Sequence, residues 1–438
     1  MALRSARLGA RGRFFALAAG LALAAVGTVT ACGKHAASAS APGSVSDSSS
    51  TSAAAPSTTT SPPEPDATLT FNPANGAAGI NPAVPITVTA AGGTIGSVTL
   101  NSSSGASVNG TLSPDNSVWT AAAPLGYGHA YTLTATATNG DGKATTQTAS
   151  FSTVTPGNMT QPYIDTTGGS ALQDGAVYGV GIIPVVHFDE RITDKAAAEK
   201  ALVVTTDPPI PGSWYWTDSQ NAHYRPTVAD GQYWPAGTKV TVSANVYGVQ
   251  VGPGLYGQSD VSKSFTIGQK QVSVADDTTH QVSVFFNDVL QRTMPTSMGQ
   301  GGYVSGVGGQ KISLYTPSGT YTVIEKDKSV LMDSSTFGLP VNSPKGYKEI
   351  IYNATKISTD GIYLHELDST VWAQGSRDLS HGCLNLNGAN AIWYQQTAQI
   401  GDPVVVQHTG GAPLAIWQNG DWTLTAAQWA AGSALSPS

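Results

Sequence analysis

The feature that most limits how this chain can fold is a punctuated rhythm of short β-branched runs. Pro85-Ile86-Thr87-Val88-Thr89, Ser97-Val98-Thr99-Leu100 and Tyr131-Thr132-Leu133-Thr134-Ala135-Thr136-Ala137 alternate, set among Gly, Pro and Asn punctuators. Turns are expected at Asn109-Gly110 and at Asn139-Gly140-Asp141-Gly142. Such runs suit a pleated surface buried on one side, and strong helix formers are scarce beyond the N-terminal stretch, so the expected fold class is mostly β. At 438 residues the chain exceeds one ordinary core, so several domains are expected.

Residues 1–31 read as a targeting segment. Arg4, Arg7, Arg11 and Arg13 precede an apolar stretch from Phe14 to Val29 that is too short and too rich in Ala and Gly for a permanent membrane span. Val29-Thr30-Ala31-Cys32 resembles the lipobox of bacterial lipoproteins, in which the cysteine becomes the lipidated first residue. Cys32 is therefore the expected lipidation site, and a membrane lipoprotein on the extracytoplasmic face, in the periplasm or cell wall, the expected location. A plain secretory signal cleaved nearby is the alternative. No Arg-Arg pair is present, which favours the general secretion route. Removing this segment takes away four of 21 basic residues and none of 28 acids, leaving 17 − 28 = −11. So acidic a chain has no electrostatic basis for binding nucleic acid. Residues 32–66 are Ser, Ala, Thr and Pro with almost nothing to bury, and read as a disordered tether with a root-mean-square span of roughly 30 Å.

Residues 67–155 carry closely spaced strands and suggest an immunoglobulin-like sandwich without the inter-sheet disulfide. Residues 156–268 read as a second copy. Leu125-Gly126-Tyr127-Gly128-His129-Ala130-Tyr131 aligns with Trp234-Pro235-Ala236-Gly237-Thr238-Lys239-Val240, and each copy closes on a Ser-Phe strand, at Phe151 and Phe265. A short helix is expected over Asp194 to Leu202. His129, His187 and His223 look isolated, so both sandwiches read as spacers or docking modules. Residues 269–407 begin with a hairpin, Gln271-Val272-Ser273-Val274 and Gln281-Val282-Ser283-Val284-Phe285-Phe286 around Asp276-Asp277-Thr278-Thr279. A helix over Ala389 to Ala398, with Ile392 and Trp393 inward, and a strand Val404-Val405-Val406 end this region. The tail, 408–438, carries Trp417, Trp422 and Trp429, all expected to dock, and a short helix over Thr425 to Ala431.

The chemistry concentrates in Ser380-His381-Gly382-Cys383-Leu384-Asn385. The chain has two cysteines, and with Cys32 assigned to export Cys383 is the only thiol left for chemistry. His365 lies upstream in Gly361-Ile362-Tyr363-Leu364-His365. A nearby imidazole or helix N-terminus would favour the reactive thiolate. Backbone amides around Gly382 and Cys383 suit an oxyanion hole, and Asn385 can brace the loop. The reaction class is acyl transfer through a thioester. An inert buried thiol and a zinc site of His365, His381 and Cys383 are the competing readings; the chain lacks Cys-x-x-Cys or His-x-x-x-His spacing, and no metal or other cofactor is expected.

His365, fourteen intervening residues and then Ser380-His381-Gly382-Cys383-Leu384-Asn385 resemble the signature of L,D-transpeptidases with a YkuD-type catalytic domain. Met294-Pro295-Thr296-Ser297-Met298-Gly299, Thr316-Pro317-Ser318-Gly319, Met332-Asp333-Ser334-Ser335-Thr336, Pro340-Val341-Asn342-Ser343-Pro344 and Ala373-Gln374-Gly375 also look like that family. The lipoprotein signal, tandem sandwiches and Trp-bearing tail resemble its mycobacterial and actinobacterial branch. The resemblance implies an enzyme that cross-links peptidoglycan stem peptides. Cys383 would be the nucleophile, His365 the general base, and His381 and Gly382 part of the oxyanion site. The Glu366 carbonyl would orient His365 where the family usually has Ser. Met332, Tyr347, Ser380 and Asn385 would bind substrate. Phe337 stands where a second flap tyrosine is expected, and a tryptophan is replaced near Ser369. The implied reaction releases D-Ala and forms a 3→3 cross-link; carbapenem-type β-lactams are implied covalent inhibitors. Water as acceptor, which would make an L,D-carboxypeptidase, and a silent wall-binding lipoprotein are the alternatives.

Overall fold

The computed structural model describes residues 62–229 and 232–435, so the expected signal segment, Cys32 and the tether as far as residue 61 lie outside the described residues. The described residues from Pro63 onward form one compact unit.

The alternating runs become strands that bury alternate side chains. In the first sandwich, Thr68–Asn72, Thr87–Ala91, Val118–Ala121 and Gly110–Leu112 make one sheet. Ser107–Val108, Thr94–Ser102, Ala130–Thr138 and Ala144–Ser152 make the other. Val88, Leu133, Ala135 and Ala137 between them are wholly buried. Asn109-Gly110 is not a hairpin turn. Val108 pairs with Leu100 in one sheet and Leu112 with Trp119 in the other, so the dipeptide carries the chain across the sandwich.

The second sandwich repeats the first at the level of register. Tyr131 lies opposite Phe151, and the aligned Val240 lies opposite Phe265. Leu125 and the aligned Trp234 are both buried. Gly128 and Gly237 both take positive φ, +69° and +83°, a turn that other side chains resist. The helical insertion is Lys195–Lys200, capped by the Asp194 carboxylate. The sandwiches meet through Tyr127, whose hydroxyl donates to the Gly257 carbonyl (2.7 Å) and accepts from the Gly248 amide (2.7 Å).

In the third region the strands are β1 (Gln271–Asp276), β2 (Gln281–Phe286), β3 (Val289–Pro295), β4 (Tyr303–Ser305), β5 (Lys311–Ser313), β6 (Gly319–Thr322), β7 (Glu325–Asp333), β8 (Lys348–Lys356), β9 (Tyr363–Glu366), β10 (Leu384–Leu386) and β11 (Pro403–Gln407). One sheet runs β3-β2-β1-β11-β6 and a second β7-β8-β9-β10. Val282, Val284, Met294, Leu364, Leu384 and Leu386 pack between them. The Gly388–Thr397 helix buries Ala391 and Tyr394, not Ile392, which is 42% exposed. The small Ala391 lets the helix lie close to β8 and β9, and Trp393 is only partly buried against Phe286.

The tail is a clamp. Trp429 is buried, stacks on Tyr215 at 5.0 Å and donates its indole N–H to the Ser213 carbonyl. Trp422 donates to the Gly181 carbonyl. Arg225 of the second sandwich lies between the two indoles and donates to the Asp421 and Leu424 carbonyls. His223 is therefore not isolated, because its Nδ1 meets the Asp421 carboxylate at 2.6 Å. Asn419 ties the same segment to the third region through the Thr322 and Ile357 carbonyls. Trp417 departs from the expected docking and is 65% exposed. Trp429→Ala should lower stability by about 3–5 kcal/mol, the usual cost of emptying a buried tryptophan site. Urea denaturation checks this; a loss under about 1 kcal/mol would mean that the clamp carries little of the fold's stability.

Candidate active site

β9 and β10 pair in parallel, with Leu364 opposite Leu384 and His365 opposite Asn385. That register puts the Ser380–Cys383 turn beside the strand that carries His365. β8 pairs with the other edge of β9 through a bulge. Tyr352 faces Glu366 and Thr355 faces Leu364, so Asn353 and Ala354 together oppose His365. Asn353 takes a left-handed φ of +47° there. Such a bulge bends its strand and re-aims the neighbouring side chain.

His365 is 3% exposed. Its Nδ1 lies 2.9 Å from the Glu366 carbonyl oxygen. A carbonyl only accepts, so Nδ1 carries the proton and Nε2 keeps its lone pair. Nε2 has no hydrogen-bond partner among the described residues, and His365 lines the cleft that Cys383 also lines. Burial drives the imidazole pKa down to about 4, against the smaller opposing effect of the Glu366 carbonyl. The Glu366 side chain turns aside and accepts from Asn353 Nδ2 at 2.6 Å.

Cys383 is half-buried, with Sγ 3.7 Å from the Gly361 carbonyl. Burial pushes its thiol up to about 12; the Tyr363 amide pulls the other way, while the Asp360 and Glu349 carboxylates add to the rise. This corrects the expectation of a lowered cysteine. With the thiol above neutrality and the imidazole below it, both rest uncharged at pH 7. The arrangement can take the thiol proton during attack, but it does not hold a ready-made thiolate.

The turn itself is pinned from several sides. Ser380 Oγ accepts from the Gly382 amide (3.0 Å) and donates to the Cys383 carbonyl (2.6 Å), so its side chain braces the turn instead of facing substrate. The Gly382 amide is thereby taken, while the Cys383 amide has no partner among the described residues and is the donor left for an oxyanion. Gly382 holds φ +144°, which favours glycine. Thr316 Oγ1 donates to the Gly382 carbonyl (2.8 Å) and accepts from the Gly299 amide (3.0 Å). Asn385 is 2% exposed and exchanges backbone bonds with Ser297, so it too braces the site. His381 turns toward the opposite wall. Its Nε2 donates to the Lys345 carbonyl (2.9 Å) and its ring packs on Tyr347 at 4.9 Å.

These residues line a cleft of about 890 Å³. Met332, Phe337, Tyr347, Glu349 and Ile351, from β7, β8 and the segment between them, form one wall. Asp360, Gly361, Pro413, Trp417 and Gln418 line it as well. Sequence reasoning thus brought Cys383, His365, His381, Gly382, Met332, Tyr347, Ser380 and Asn385 to one place. Thr316 is missed as a site residue, although the stretch Thr316-Pro317-Ser318-Gly319 looks like the family. Also missed are Asn353, Asp360 and the tail's contribution, for which no local pattern exists.

The profile described as "L,D-transpeptidase catalytic domain" matches residues 270–406, and that of a bacterial Ig domain matches 77–250. L,D-transpeptidase 2 of Mycobacterium tuberculosis (strain CDC 1551 / Oshkosh) is 41% identical over 367 residues, covering 84% of this chain and 85% of that protein. L,D-transpeptidase 5 of Mycobacterium tuberculosis (strain ATCC 25618 / H37Rv) is 36% identical over 383 residues, covering 86% and 79%. A solved LD transpeptidase in complex with imipenem is 31% identical, covers 56% of this chain and 99% of its own, and superposes with a TM-score of 0.44.

Proposed function

The chain belongs to the L,D-transpeptidase family, and from that premise we propose that it cross-links peptidoglycan through a thioester on Cys383. In this reading Cys383 attacks the carbonyl between the L-centre of diaminopimelate and the terminal D-Ala of a tetrapeptide stem. His365 Nε2 takes the thiol proton as the carbon–sulfur bond forms, then gives it to the departing D-Ala amine. The Cys383 amide steadies the oxyanion. The side-chain amine of a neighbouring stem resolves the thioester, giving a 3→3 link. Carbapenem-type β-lactams would acylate the same sulfur by presenting a strained acyl donor.

The observation that carries this reading is the tautomer of His365. The Glu366 carbonyl fixes the proton on Nδ1 and leaves a basic nitrogen in the cleft that Cys383 lines. Beyond the described residues, we propose that Cys32 bears the lipid and that the tether holds the folded part off the membrane on its extracytoplasmic side.

The test is intact mass and product analysis of the full-length protein after incubation with a carbapenem and, separately, with a disaccharide-tetrapeptide. The expected outcome is one adduct on Cys383 and a cross-linked dimer that has lost one D-Ala. An adduct accompanied only by free tripeptide would replace the transferase with a carboxypeptidase. No adduct from either compound would overturn the proposal.

A further inference from the structure

We propose that Asp360 and Trp417 form the binding subsite for the primary ammonium of the acceptor stem, a subsite that rests on the acyl-transfer reading above. The reaction needs two substrates in one cleft. With the donor taken against Met332 and Tyr347, the residues that the family resemblance implies for substrate, the lining of Asp360, Gly361, Pro413, Trp417 and Gln418 is left for the second.

The chemistry of that lining suits a cation. Asp360 immediately precedes Gly361, whose carbonyl lies 3.7 Å from the Cys383 sulfur. Its carboxylate is exposed to the cleft yet held in place, with Oδ1 accepting from Ser358 Oγ (2.6 Å) and Oδ2 from Gln418 Nε2 (2.7 Å). No Lys, Arg or His pairs with it among the described residues. An ionised carboxylate offers about four lone-pair directions, so a third donor can be taken.

Trp417 is 65% exposed, but its backbone is fixed. It sits on the Ile416–Gln418 turn, its carbonyl accepts from Thr359 Oγ1 (2.6 Å), and Gln418 Oε1 accepts from the Ala415 amide (3.0 Å). The Trp417 backbone and the Asp360 carboxylate therefore belong to one hydrogen-bonded lip, joined through Gln418, and both residues line the cleft. An alkylammonium lies well over an indole face, and its head group pairs with a neighbouring carboxylate.

Holding the ammonium there keeps the incoming nitrogen in the cleft that the Cys383 sulfur lines. In transfer the carbon–sulfur bond breaks as the amine nitrogen bonds to the carbonyl carbon. Of the two protons the ammonium loses, one reaches the Cys383 sulfur through His365 Nε2 and the other goes to solvent. Water, which needs no cation site, is the competing acceptor. The lip therefore sets how often the acyl-enzyme is resolved by transfer instead of hydrolysis.

The experiment is the partition of one acyl-enzyme between products. Full-length protein, Asp360→Asn and Trp417→Ala are each given disaccharide-tetrapeptide, and cross-linked dimer is measured against free tripeptide. The same ratio is then measured with hydroxylamine, which is uncharged at neutral pH, as the added acceptor. Each substitution should lower the dimer-to-tripeptide ratio about fivefold, the scale of one exposed ion pair or cation–π contact. The hydroxylamine ratio should change by less than about twofold, because no cation is involved. An unchanged dimer ratio would overturn the subsite. Equal losses for both acceptors would overturn it too, since they would mean a general disturbance of the cleft. If the unaltered protein formed no acyl-enzyme, the acyl-transfer reading itself would fall, and the subsite with it.

Discussion

Cys383→Ala should abolish covalent adducts with both carbapenem and stem peptide while the protein stays folded. The sulfur is the only nucleophile of its kind among the described residues; it lies 3.7 Å from the Gly361 carbonyl, meets the Tyr363 amide and packs beside Ile351, Ala354 and Tyr363. The turn around it is held by other groups, namely Ser380 Oγ, Thr316 Oγ1 and the backbone exchange between Ser297 and Asn385. Replacing a small half-buried thiol by a methyl group removes little packing, so stability should change by less than about 1 kcal/mol. Intact mass checks the first half and urea denaturation the second. A Cys383→Ala protein that still gained the β-lactam mass would place the nucleophile elsewhere. A variant that failed to fold would make the thiol structural.

Much of this site was legible because it is local. Ser380 to Asn385 are contiguous, and period-two alternation fixed the strands that flank them. The hairpin around Asp276-Asp277-Thr278-Thr279 formed where its turn residues placed it, between β1 and β2. What escaped the sequence depends on register and burial. The bulge opposite His365 exists only because β8 pairs out of step with β9, and nothing in Tyr352-Asn353-Ala354-Thr355 announces it. The helical pattern of 389–398 placed Ile392 inward, but the close approach of strands to Ala391 and Tyr394 chose the other face. His223 looked solitary because its partner, Asp421, lies 198 residues away. The resting charge of the catalytic pair is the deepest case. Proximity of histidine and cysteine in sequence suggests a thiolate, while burial of both reverses it.

That reversal makes His365→Gln the second large effect. In the proposed mechanism the imidazole acts as a general base on a neutral thiol, so losing it should slow acylation about 10²–10⁴-fold at neutral pH. The pH profiles separate this from a preformed ion pair. In the unaltered protein the acid limb reports protonation of Nε2, so acylation should stay flat through neutrality and fall only near pH 4. In His365→Gln the thiol must ionise unaided, and the rate should climb roughly tenfold per pH unit well into the alkaline range, toward the thiol's value of about 12. Stability carries the same signature with a definite sign. The folded pKa of about 4 lies below the free value of 6.5, so the unfolded chain binds the proton more tightly. The neutral imidazole's contribution is therefore fully present above pH 6.5 and is lost as pH falls through 4, by on the order of 3 kcal/mol. His365→Gln should flatten that part of the acid-denaturation curve. If acylation by the variant remained within about twofold of the unaltered protein at neutral pH, His365 would not be the base. If the acid limb of the unaltered protein sat near 6.5, the imidazole would be solvated and the buried neutral pair wrong.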